Sequence, residues 1–191
     1  MAYQTRFRIV AVLFVVVLLM PAVLAQQSLI VPAKGGTVSV LDLETLNLEQ
    51  TINAAGYQAF AAVGNNPRLA FVGASNGSYL SVVDFTIGRE VNRIYEVCPY
   101  AVPAFTPDRQ YLLVEDNCDS TVKVLDTSTQ KLVRSLDLAP YMGTGAQGTN
   151  SNLGSIVVLG QKAYVTTVAP DSSHPAIAVV DLKSFKPTFP F

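Results

Sequence analysis

One six-residue phrase is written four times along the chain: "TVSVLD" at 37–42, "YLSVVD" at 79–84, "TVKVLD" at 121–126 and "AIAVVD" at 176–181. Its closing aspartates, Asp42, Asp84, Asp126 and Asp181, are spaced 42, 42 and 55 residues apart. A fixed period in this range marks propellers and solenoids, in which each repeat is one small unit that buries its faces against its neighbours. The text around the phrase repeats as well. One apolar run precedes it ("RLAFVGAS", "QYLLVED", "KAYVTTVA"), another follows it ("LEQTINA", "VNRIYEV", "LVRSLDL"), and a fourth opens the unit ("QAFAAV", "AVPAF", "GSIVVLG"). Four short strands, A to D, in each unit predict an all-β chain of antiparallel β-propeller blades. No segment sustains an apolar period of 3.6, so almost no helix is expected.

Each closing aspartate is followed by a short polar link, such as "LETLN", "FTIGR" or "TSTQK". A carboxylate there can accept backbone N–H bonds from the next residues and shape the turn. A catalytic acid need occur only once, whereas a turn former must occur once per blade. Asp42, Asp84, Asp126 and Asp181 are therefore read as structural turn residues.

Period and phrase together resemble the YVTN-repeat β-propeller family. The motif that names it stands here as Tyr164-Val165-Thr166-Thr167, with looser versions at Phe71-Val72-Gly73-Ala74 and Leu113-Val114-Glu115-Asp116. The resemblance runs through residues 26–191 and implies an extracytoplasmic propeller, usually seven-bladed, used mainly for binding. It carries no catalytic residue that could be placed on a position of this chain. With "SLIVPAK" (28–34) as a B strand, the strands count as BCD, ABCD, ABCD, ABC: fourteen, or about three and a half blades. Pro187 and Pro190 stand where a last D strand would start, and proline cannot donate to a sheet. The expectation is an incomplete propeller, an open arc whose exposed flanks favour self-association. The alternative is a degenerate four-bladed ring.

The chain opens with Arg6 and Arg8, an apolar run Ile9–Met20, Pro21, and Val23-Leu24-Ala25 before Gln26. This is the layout of a secretory signal peptide over residues 1–25, and the run breaks too early for a bilayer-spanning helix. A periplasmic or secreted protein with no membrane span after cleavage is expected. Loss of the leader leaves 11 basic residues against 14 acidic ones. With no basic cluster, nucleic acid is excluded as a partner.

Cys98 and Cys118 are the only cysteines, and in an oxidising compartment an even number reads as a bridge. If Phe105 pairs with Tyr111 across "TPDRQ", the same register sets Cys98 opposite Cys118. His174, the sole histidine, sits in the polar loop "PDSSHP" beside Ser172 and Ser173 without a supporting catalytic motif. One histidine cannot build a multi-histidine metal site. Asp116, Asn117 and Asp119 lack the full calcium-loop spacing and read as a polar turn. Gly143, Gly145 and Gly148 spell GxGxxG between two strands, where a dinucleotide fingerprint requires a strand and a helix. No cofactor and no metal are implied.

The link 139–154 lengthens the last period and joins strand D of one blade to strand A of the next, on a propeller face where long loops build sites. Tyr57, Tyr100 and Tyr141 occupy that D-to-A link in three successive blades. With Gln147, Asn150 and Asn152 they form a candidate ligand-binding rim; the competing reading of the tyrosines is packing between blades. The leading function is an exported module that binds a protein, peptide or glycan on this face. The alternatives are a lactonase-like hydrolase with a metal in the channel and a structural cell-surface protein. An enzyme would line the channel with acids or amides, and among the A strands only Gln58 is one. The catalytic set is therefore empty.

Overall fold

In a computed structural model of the chain, the described residues are 28–33, 36–54, 58–63, 66–74, 79–97, 103–116, 118–139, 155–168 and 175–189. They form four antiparallel sheets, each a meander in chain order. The first contains β1 (Ser28–Ala33), β2 (Thr37–Asp42) and β3 (Leu48–Asn53). The second contains β4 (Gln58–Val63), β5 (Leu69–Ala74), β6 (Leu80–Asp84) and β7 (Arg89–Ile94). The third contains β8 (Ala104–Phe105), β9 (Tyr111–Asp116), β10 (Thr121–Asp126) and β11 (Lys131–Asp137). The fourth contains β12 (Ile156–Leu159), β13 (Lys162–Val168), β14 (Pro175–Asp181) and β15 (Lys186–Thr188).

Strand alternation sends successive side chains to opposite faces, so a central strand feeds two cores at once. On β9, Leu112 and Val114 enter a seam with Phe71, Leu80 and Val82 of the second sheet, while Leu113 enters the seam with the fourth. On β10, Val122 and Val124 face Val165, Ala178 and Val180, and Leu125 turns back to the second sheet. Val38, Val40 and Ile52 meet Ala70, Val72 and Val83 between the first two sheets. The sheets therefore stack face to face, each on the next, through three apolar seams. Beyond the seams, the far face of the fourth sheet exposes Val157, Leu159 and Ile177, and the first exposes Leu29 and Leu48.

All four closing aspartates make the same turn. Asp126 Oδ1 accepts from Ser128 N (2.9 Å), Ser128 Oγ (2.7 Å), Thr129 N (2.8 Å) and Thr129 Oγ1 (3.0 Å). Asp42 does the same with Glu44 and Thr45, Asp84 with Thr86 and Ile87, and Asp181 with Lys183 and Ser184. These bonds hold the carboxyls below the ordinary 3.8; the largest cause is the Thr45 N–H at Asp42, the Thr86 hydroxyl at Asp84, the Ser128 hydroxyl at Asp126 and the Ser184 N–H at Asp181. We expect Asp126→Ala to cost about 1 kcal/mol, small because the turn is open to solvent. Asp126→Asn, which keeps the acceptor oxygen, should cost less. Urea midpoints measure both, and an unchanged midpoint for the alanine variant would show the turn holds without its carboxylate.

Four residues after each aspartate the backbone enters the left-handed region, at Leu46 (φ 57°), Gly88 (68°), Gln130 (57°) and Phe185 (54°). Each of the last three slots meets one side chain from the D strand of the preceding sheet. A Cβ at Gly88 would collide with the Gln50 amide. Asn92 Nδ2 donates to Gln130 Oε1 at 2.9 Å, and the Arg134 guanidinium lies 5.4 Å from the Phe185 ring centroid.

Two expectations need correction. The last D strand exists: β15 pairs with β14, Asp181 facing Lys186 and Val180 facing Pro187, giving fifteen strands among the described residues. Pro187 is tolerated because β15 is the outermost strand, with one edge unpaired, and Thr188 Oγ1 donates to Val179 O. The hairpin register of the third sheet is also one residue different. Phe105 faces Leu112 rather than Tyr111, because Thr106 pairs with Tyr111 across a tight turn in which Arg109 N donates to Thr106 O at φ 56°. That register does not set Cys98 opposite Cys118.

Candidate functional site

In a four-stranded meander the D-to-A and B-to-C links leave on one side, the A-to-B and C-to-D links on the other. The expected rim residues Tyr57, Tyr100, Tyr141, Gln147, Asn150 and Asn152 lie outside the described residues, as do His174 and the glycines of 143–148. Strand ends show what borders the same side. There β6 begins after Tyr79, and β7 ends before Tyr95.

Tyr79 and Tyr95 pack with ring centroids 5.6 Å apart. Arg93 lies 5.0 Å from the Tyr79 centroid and pairs with Glu90 at 2.7 Å. Glu90 Oε1 also accepts from the buried Ser81 Oγ at 2.6 Å. Burial raises the Glu90 pKa, but hydrogen bonds from Arg93 and Ser81 outweigh it and leave the carboxyl below its ordinary range. Burial raises the Tyr79 pKa. The result is a fixed guanidinium between one buried tyrosine and one that is 66% exposed. Sequence reasoning missed this cluster; the available signal was Tyr79 standing where the other phrases begin with Thr or Ala.

In the third sheet the polar turn is more than a turn. Lys123 is buried on the side facing the second sheet, ion-paired with Asp119, 3.1 Å from Ser135 Oγ and 3.8 Å from Asp116 Oδ2. The ammonium thus sits where a cation among Asp116 and Asp119 would go. Burial opposes ionisation of Asp119, but the Lys123 and Thr121 hydrogen bonds prevail and lower its pKa. Among the described residues no group of three or more His, Cys, Asp or Glu could hold a metal ion.

Glu115 points the other way, into the seam with the fourth sheet. It is 1% exposed, neither carboxyl oxygen has a hydrogen-bond partner, and burial alone pushes its pKa from 4.5 up to about 8. Cys118 N donates to Asp116 Oδ1 at 2.9 Å, and no cysteine among the described residues is free. Cys98 lies outside them. A Cys98–Cys118 bridge is expected to block both thiols when the chain is produced in an oxidising compartment, so alkylation should add mass only after reduction. Labelling of both without reductant would remove the bridge.

No helix among the described residues is long and apolar enough to cross a membrane. No protein-family model matches the chain, and no curated protein matches it. Solved structures do. BamB from Moraxella catarrhalis superposes with a TM-score of 0.65 at 18% identity, over 86% of this chain and 49% of that one. Hydrazine synthase from Kuenenia stuttgartiensis superposes at 0.60 and 16% identity, over 81% of this chain and 42% of that one. The chain spans less than half the length of either. Both are β-propeller proteins, and at these identities the likeness is one of fold: the four stacked sheets are blades of a β-propeller.

Proposed function

We propose that the chain is an exported β-propeller interaction module of the YVTN-repeat kind, released by cleavage after residue 25. It presents the D-to-A and B-to-C side to a protein, peptide or glycan, with a protein surface favoured by the cluster described above. The observation that carries this reading is Tyr95, exposed beside Tyr79 and an arginine already held by Glu90. Tyrosine and arginine dominate binding energy at protein interfaces, and a pre-ordered pair loses little entropy on docking. The unassigned tyrosines of the neighbouring links would extend the same surface.

A photo-crosslinking residue placed at Tyr95 in the exported full-length chain tests this, with one at Lys183, on the opposite side, as control. A discrete adduct from position 95, reduced by Arg93→Ala and absent from position 183, supports the reading. Equal adducts from both positions, or none from either, would retire it. The hydrolase alternative gains no support from the described side chains, which bring no acidic cluster together for a metal.

A further inference from the structure

The side opposite to the tyrosine–arginine cluster carries a cavity of about 360 Å³ between the third and fourth sheets, lined by Thr106, Pro107, Asp108, Tyr111, Gln161 and Leu182. We propose that this cavity binds a single pyranose ring, with Tyr111 and Leu182 as its apolar wall and Asp108 and Gln161 as its hydroxyl contacts. Its volume falls within the range of small-molecule sites.

What repeats in this chain is scaffold, and the cavity is built from what does not repeat. Tyr111 opens its strand where the other sheets have Ser28, Leu69 and Lys162. Phe185 fills the left-handed slot taken elsewhere by Leu46, Gly88 and Gln130. These two departures meet, ring centroids 5.5 Å apart at 85°, and fix the Tyr111 ring.

The loop beside it is equally fixed. Thr106, itself buried, donates its hydroxyl to Asp108 Oδ1 at 2.6 Å, and its hydroxyl oxygen accepts from Tyr111 N at 3.1 Å. Gln110 N donates to the same Asp108 oxygen, and the buried Thr127 donates to Arg109 O at 2.8 Å. Preorganisation of this kind lowers the entropy lost on binding.

The unused valences select the ligand. Asp108 Oδ2, the Tyr111 hydroxyl and the Gln161 amide make no hydrogen bond with the described residues. The Thr106 hydroxyl and the Gln110 N–H keep Asp108 ionised by lowering its pKa. With a carboxylate in the wall and no basic side chain lining the cavity, phosphates and carboxylates are repelled. An organic cation would pair with Asp108 but gain no hydrogen bond from the amide or the hydroxyl, so only part of the site would contribute to its affinity. A neutral polyol with one C–H face uses all three polar groups and the apolar wall.

Saturation-transfer NMR on the full exported chain tests this, with D-glucose, D-mannose, D-galactose and N-acetyl-D-glucosamine as probes and Nα-acetyl-lysine amide as the cationic competitor. Transfer to the ring protons of at least one sugar is expected. Asp108→Asn and Tyr111→Leu should each weaken its binding about tenfold, and Leu48→Ser, exposed on the first sheet, should leave it unchanged. Gln161→Ala, in an exposed link, supplies a loss of binding even where Tyr111→Leu fails to fold. Absence of transfer to all four sugars, transfer indifferent to every cavity variant, or preference for the lysine derivative would overturn the proposal.

Discussion

Replacing Glu115 by leucine should flatten the fall in stability that this residue imposes on the native chain, about 3 kcal/mol between pH 5 and pH 7. The sign follows from linkage. Unfolded, the carboxyl releases its proton near 4.5; folded, it keeps it to about 8. Between those values the native state holds one more proton, so each pH unit upward destabilises it. The turn aspartates act at the other end. Their folded pKa values lie below the ordinary 3.8, so their contribution is present above that value and lost as pH falls through the folded values. Stability should therefore peak in mildly acidic solution. Urea unfolding at pH 5, 6, 7 and 8 measures it. Glu115→Gln should remove the slope while leaving a buried amide unsatisfied, and Glu115→Leu should also raise the plateau. Parallel pH profiles for native and variant chains would show that water or a cation reaches the carboxylate.

Lys123→Met should do the reverse and cost about 3 kcal/mol near neutrality. The lysine is buried like Glu115, but it is ion-paired with Asp119, and its loss takes the ammonium away from the buried Asp116. The corresponding positions of the second sheet are Ser81 and Ala74, neither of them charged. Lys123→Ser with Asp116→Ala should thus recover most of the loss, which a double-mutant cycle reads directly. The penalty should shrink in acid, because Asp119, held below 3.8 with help from Lys123, protonates there in either chain. Additive single effects would mean that Lys123 acts through packing of its methylenes instead.

Those two residues also mark where sequence reading runs out. The strands were legible because alternating Val and Leu can be buried on both faces only in stacked sheets, and the turns because one aspartate recurs at one place. Register was not. It depends on the parity of the "TPDRQ" turn, which Arg109 decides by adopting a left-handed backbone that no residue preference announces. The last strand was hidden by prolines that exclude a central strand but not an edge. Glu115 sat inside "LVED", where an acid in a strand reads as an outward residue, and only the neighbouring sheet reveals that both faces are covered. Of the candidate site, link topology tells which links share a side of a meander; the Tyr79–Tyr95–Arg93 contact, made between the ends of different strands, was not legible.

The contacts at the left-handed slots bear on how the blades know their order. A side chain in that backbone region costs about 1–2 kcal/mol, so glycine would be the default at all four. Yet the slots differ, and each of the last three matches what reaches it from the blade before: a long amide over no side chain, an amide bonded to an amide, a guanidinium over a ring. The seams share Val and Leu as their main residues, whereas the slots differ from blade to blade. Exchanging Gln130 and Phe185 would set Asn92 against a ring and Arg134 against an amide, breaking two contacts while leaving every core residue in place. Each junction thus carries its own pair of side chains, so that a change at one slot is felt by a single strand of the blade before it.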